Sequence, residues 1–109
     1  MADLLGAFEQ AVLLAIVRLG ANAYGRTVLH EAQASLGRQV SAGAVYTTLD
    51  RLEQRGLVRS RQEEGTAARG GRPRRYYTVV AEGVSALNEA RDTLTRMWSS
   101  IQWPAEGVR

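Results

Sequence analysis

At 109 residues, 45% hydrophobic and with a formal charge of +3, the chain is sized for one globular domain and too apolar for disorder. It has no cysteine, which excludes disulfides and thiolate metal sites, and its longest apolar run, Ala11 to Val17, is far too short to span a bilayer. Asp3 and Glu9 bracket the N-terminal apolar segment, unlike a signal peptide, so a soluble cytoplasmic protein without membrane insertion is expected.

Leu5, Phe8, Val12, Ala15/Ile16 and Leu19 recur at helical spacing and predict a first helix over about residues 4–19, stopped by Gly20. Leu13, Leu14 and Val17 widen its apolar stripe until little polar face remains. Such a helix must be covered on two sides, one by its own domain and one by a partner chain.

A second helix is expected from Tyr24 to Leu36, with Val28, Leu29, Ala32 and Leu36 inward and Gly37 as its stop. Ser41 is placed to cap a third, in which Val45, Leu49 and Leu52 form the buried stripe. Ala44, Thr47, Thr48 and Arg51 then fall nearer the outer face, and Gly56 ends the helix.

Leu57 to Glu63 alternates as a strand, and Tyr76 to Val80 is its antiparallel partner. Gly65, Gly70, Gly71 and Pro73 lie between them, as expected of a hairpin tip. A last helix should run from about Ala81 to Ile101, with Val84, Leu87, Leu94, Trp98 and Ile101 at three- and four-residue steps. Arg91 is the misfit in that seam. The order helix–helix–helix–strand–strand–helix predicts an α+β, mainly α fold: a winged helix-turn-helix over 1–80, a C-terminal dimerisation helix over 81–103 and a tail over 104–109.

Charge is unevenly distributed. From Arg38 to Arg75 nine arginines face four acids, a local +5, whereas the other residues sum to −2. A basic helix-plus-hairpin segment is the electrostatic footprint of a nucleic-acid binder. The run Arg69, Arg72, Arg74 and Arg75 is suited to phosphates or the minor groove, although strand alternation keeps Arg74 and Arg75 from pointing the same way. At the start of the third helix, Gly43 and Ala44 leave room for close backbone approach, and Thr47 offers a hydroxyl or methyl to a base edge. Ser41 belongs to the same front, Arg51 lies a turn further on, and Arg55 is expected to be an ordinary solvated residue.

His30 is the only histidine, which makes no metal site, and it is expected on the polar flank of the second helix. Asp50, Glu53, Glu63 and Glu64 sit among arginines, where ion pairing is expected. No phosphate-cradling loop, nucleophile elbow or His–carboxylate constellation is present, so neither catalysis nor a cofactor is expected.

The segment Ser41-x-Gly43-Ala44-Val45-Tyr46-Thr47-Thr48-Leu49-Asp50-Arg51-Leu52-Glu53-x-x-Gly56-Leu57-Val58 resembles the recognition-helix signature of the PadR family of transcriptional regulators. Gly71-Arg72-Pro73-Arg74-Arg75-Tyr76-Tyr77 resembles that family's second wing strand, Glu82–Gly83 the opening of its last helix, and Tyr24–Gly25 its aromatic–glycine start of helix two. Two positions depart from the pattern. Arg26 stands where the family often has a second aromatic, which adds a phosphate-contact candidate. Val80 stands where a threonine usually caps the last helix.

The resemblance implies a homodimeric repressor on double-stranded DNA, with Tyr46 at phosphate or groove. It places the dimer interface on the first and last helices, here Phe8, Val12, Leu87, Leu94, Trp98 and Ile101. It also implies a small aromatic effector stacking at Phe8, Val12, Leu94 and Trp98. The competing expectation is a winged-helix protein-interaction module associated with a neighbouring membrane protein, DNA binding being secondary.

Overall fold

The first helix, α1 (Ala7–Leu19), is the element that the others surround. In the computed structural model, which describes residues 3–99 and 101–102, it places Val12, Leu13, Ala15 and Ile16 in the core with almost no exposed surface. It begins three residues later than its apolar spacing predicts. Gly6 is extended there, and its N–H donates to Glu9 Oε1 at 3.0 Å, so the chain is capped before Ala7. Leu14 and Val17 remain 41% and 56% exposed, which makes them the second, uncovered stripe.

A short 3-10 turn, Gly20–Asn22, leads to α2 (Gly25–Leu36). Tyr24 is its N-cap: the Tyr24 N–H donates to Thr27 Oγ1 at 3.0 Å, and that hydroxyl donates to the Asn22 carbonyl at 2.6 Å. Val28 and Ala32 are buried, while Leu29 and Leu36 are half-buried. Helix α3 (Ala42–Gln54) starts as expected on Ser41, whose Oγ accepts from the Ala44 N–H at 3.0 Å. Its buried stripe is Val45, Leu49 and Leu52, joined by Thr48, which the sequence pattern puts nearer the outer face. Position 48 lies three residues after Val45 and four before Leu52, so helical geometry carries it inward.

Strands β1 (Val58–Glu63) and β2 (Arg74–Val79) pair antiparallel, from Val58 opposite Val79 to Glu63 opposite Arg74. Tyr77 points to the core, and its N–H donates to the Ala23 carbonyl at 2.9 Å. Tyr24 bridges Tyr76 beside it, so the lead into α2 acts as a fragment of a third strand. The tip folds over a 3-10 turn at Ala67–Arg69.

Helix α4 (Ala81–Ser99) starts on Val80, whose carbonyl accepts from the Gly83 and Val84 N–H groups at 2.9 and 3.0 Å. Ala90 is its last buried residue, and beyond it the helix leaves the body. The radius of gyration is accordingly 16.7 Å, against about 13 Å for a compact domain of this length. Among the described residues α4 runs to Ser99, and Ile101, expected within it, lies outside the helix, its N–H donating to the Trp98 carbonyl at 3.2 Å. Trp103 and the expected tail lie outside the described residues.

Gly83 marks where α4 meets the rest. A Cβ there would collide with the Leu57 carbonyl oxygen and sit 2.7 Å from Val79 Cγ1. Gly83→Ala should therefore lower stability by about 1–3 kcal/mol, measured by urea denaturation. An unchanged midpoint would show that α4 is not seated this closely.

Candidate nucleic-acid interface

The outer face of α3 is sparsely furnished. Ser41, Gly43, Ala44, Thr47 and Arg51 are all exposed, opposite the buried Val45, Leu49 and Leu52. A Cβ built on Gly43 meets no side chain and no backbone from elsewhere in the fold within 4 Å. Tyr46 is 47% exposed and leans off the helix edge toward the start of α2. Its ring lies against Gly25, where any side chain would collide with it. That explains the aromatic–glycine pair: Tyr24 caps the helix, and Gly25 makes room for a tyrosine from the next one. Arg26 is exposed beside them.

The wing arginines divide into distinct jobs. Arg69 is half-buried and folds the tip on itself, Nη2 donating to the Glu64 carbonyl at 2.5 Å and Nε to the Arg72 carbonyl at 3.3 Å. Arg72 is exposed and returns a bond to the Arg69 carbonyl at 3.3 Å. Arg75 is exposed and lies along the strand pair, donating to Ser60 Oγ at 3.0 Å and Gln62 Oε1 at 2.9 Å. Arg74 points to the opposite face, as alternation requires. Its guanidinium stacks 3.9 Å from the Tyr24 ring centroid and reaches Tyr76 Oη at 3.4 Å.

Arg61, not singled out from sequence, lies 5.0 Å from the Tyr76 ring centroid and pairs with Glu63 at 2.6 Å. The bond from Arg61 holds the Glu63 carboxyl below the usual carboxylate range. Burial, reinforced by Asp50, pushes the Tyr77 phenol up, so it stays protonated at any physiological pH. Arg55 is not simply solvated. It spans from the end of α3 to Glu9 at 3.3 Å and the Asp3 carbonyl at 3.2 Å, a contact 46 residues apart that no local pattern reveals.

Between the start of α2, Tyr46 and the wing lies a cleft of about 720 Å³. Arg26, Arg69, Arg72, Arg74 and Arg75 line it together with Tyr24 and His30. So many guanidinium groups around one hollow suit an anionic chain running across it. No group of residues among those described could hold a metal ion, and none of the helices described is long and apolar enough to cross a membrane.

The description "Transcriptional regulator PadR-like family" matches residues 13–89, which hold α2, α3, the wing and the first half of α4. The chain belongs to the PadR-like family of transcriptional regulators. Among solved structures, a PadR family transcriptional regulator from Eggerthella lenta is 28% identical with a TM-score of 0.64, over 82% of this chain and 75% of that one. A PadR-like transcription factor from Bacteroides fragilis shares the fold at 24% identity and a TM-score of 0.68, covering 84% of each chain. A PadR-like regulator from Bacillus cereus does so at 21% and 0.66, over 87% of each. No curated protein matches. This PadR-like protein is thus a DNA-binding transcriptional regulator with the winged-helix fold, and not an enzyme.

The PadR-like chain carries a second notable surface, away from the wing arginines. A groove of about 800 Å³ runs between α1 and α4, lined by Leu14, Val17, Val84, Leu87, Leu94 and Trp98 with Gln10, Asn88 and Arg91. Leu94 and Trp98 are 43% and 60% exposed, and Ile101 beyond the helix end is 54% exposed. Neither of the two contact residues expected on the first helix lines this groove. Val12 is fully enclosed in the domain's own core and has no surface to give a partner or ligand. Phe8 packs on that core and does not line the groove. Leu14 and Val17, one helical face over, take their place.

Gly43→Ala separates folding from recognition. The added methyl meets nothing and favours helix, so stability should hold or rise by about 0.5 kcal/mol in thermal denaturation. DNA affinity should nevertheless fall in titration, because the methyl stands where a duplex would approach the backbone. Undiminished affinity would move the contact away from this end of α3.

Proposed function

We propose that the chain is a homodimeric repressor that binds an inverted-repeat operator in the cytoplasm. The observation that carries this reading is one chain holding two unsatisfied surfaces of opposite character. One is a bare helix face flanked by arginines, the other a long apolar groove. A two-fold pairing along α1 and α4 covers the second and presents the first twice.

In that arrangement each α3 enters a major groove, with half-site centres about 34–36 Å apart or a multiple of that. Gly43, Ala44 and Thr47 read base edges, with Ser41 and Arg51 at the margins of the groove. Tyr46, Arg26, Arg72 and Arg75 take backbone phosphates around the arginine-lined cleft. A flat aromatic effector that stacks on Trp98 between Leu14, Val17 and Leu94 of the groove would loosen the pair and relieve repression.

The charge reading is tested by salt. Arg72→Ala combined with Arg75→Ala should weaken binding to all duplexes alike and flatten the salt slope by roughly one unit per lost phosphate contact. An unaltered slope would leave these arginines as solvated surface.

The pairing is tested by charge burial. Leu94 is half-exposed in the single chain, so Leu94→Asp leaves the fold intact but places an unpaired carboxylate in the seam. Sedimentation should find the wild type dimeric at micromolar concentration and the variant monomeric, with dimer affinity reduced at least about 100-fold. A monomeric wild type would end the model and its inverted repeat.

A further inference from the structure

A two-stranded hairpin is only marginally stable alone, so something must fix the angle at which this wing leaves the helices. On the core side, Tyr77 anchors its base. On the other side there is a ladder of alternating rings and guanidinium groups. Tyr24, the N-cap of α2, meets Tyr76 edge to face with centroids 5.4 Å apart. Arg74 covers the Tyr24 ring at 3.9 Å and reaches the Tyr76 hydroxyl, while Arg61 from the facing strand covers Tyr76. Arg74 is the first residue of β2, so this attachment holds the strand at its tip end.

We propose that Arg74 is a wing-positioning residue: by stacking on Tyr24 and bonding Tyr76 it fixes the angle between the hairpin and α3. Phosphate contact is left to Arg72 and Arg75. The proposal rests on the reading in which α3 and the wing grip one duplex together. Its chemistry depends on a flat cation. A lysine at this position keeps the charge but offers neither a planar face to Tyr24 nor a fork that can reach Tyr76 at the same time.

The test compares Arg74→Lys, Arg74→Ala, Tyr24→Leu and Tyr24→Phe with Arg72→Ala. The DNA probes are a duplex selected by the wild type from a random pool and an unrelated duplex. Arg74→Lys and Tyr24→Leu should each lose roughly three- to tenfold in affinity for the selected duplex, with the salt slope unchanged. Tyr24→Phe, which keeps the ring, should restore wild-type affinity. In the protein without DNA, hydrogen exchange of the Tyr77 amide, which donates to Ala23, should quicken in Arg74→Lys and Tyr24→Leu but not in Arg72→Ala.

If Arg74→Lys binds like the wild type while Arg74→Ala flattens the slope by about one unit, Arg74 is a phosphate contact and the proposal fails. If the Tyr77 amide exchanges in Arg74→Lys as it does in the wild type, the lock does not exist. That readout needs no DNA, so it decides the proposal even if the wild type binds neither duplex, a result that would defeat the operator reading instead. Should Tyr24→Leu not fold, Arg74→Lys and Tyr24→Phe carry the same comparison.

Discussion

Helix α1 carries more apolar side chains than one small domain can cover, and the arrangement of the rest answers that excess. Val12, Leu13, Ala15 and Ile16 are taken into the core by α2, α3 and the base of the wing. Leu14 and Val17 are left over, and α4 brings Val84, Leu94 and Trp98 alongside them without closing the surface. Burying apolar area is the main favourable term in both folding and association, and this is the area that the proposed pairing would cover. The core that fixes α3 and the apolar surface left open are thus two sides of one helix.

The wing uses arginine in three physically different ways. In Arg69 the guanidinium is a many-pronged donor that closes a glycine-rich tip on its own carbonyls. In Arg74 and Arg61 it is a flat plate laid on a tyrosine. In Arg72 and Arg75 it is chiefly exposed charge. Counting charges treats these as equals, although their neighbours differ. The local +5 that first marks the segment therefore understates what the same residues do for shape.

Much of the fold was legible because it is written locally. Ser41 as a cap, Gly20, Gly37 and Gly56 near helix ends, and the strand pair around a glycine-rich tip follow from short-range stereochemistry. The family likeness was legible for the same reason, since its motifs lie on α3 and β2. What failed to show was orientation. A helix apolar nearly all round gives two candidate stripes and no polar face to choose between them, so its pattern does not reveal that Val12 is fully enclosed. Thr48 has a polar atom on a buried helical phase, and the phase won. Arg55 finds Glu9 across the fold and Arg74 finds Tyr24, and neither pairing follows from spacing along the chain.

The contact at Gly83 has a mechanical meaning. Leu57 ends the turn after α3 and leads into β1, and its carbonyl accepts from the Val80 N–H while lying against the bare Cα of Gly83. Three elements thus share one hinge pin with no side chain to act as a cushion. A joint on such a pin has little backlash: the root of α4 and the root of the wing have no room here to shift against each other. In a molecule 60 Å long, the root of α4 therefore sits on the same backbone contact that closes the base of the wing.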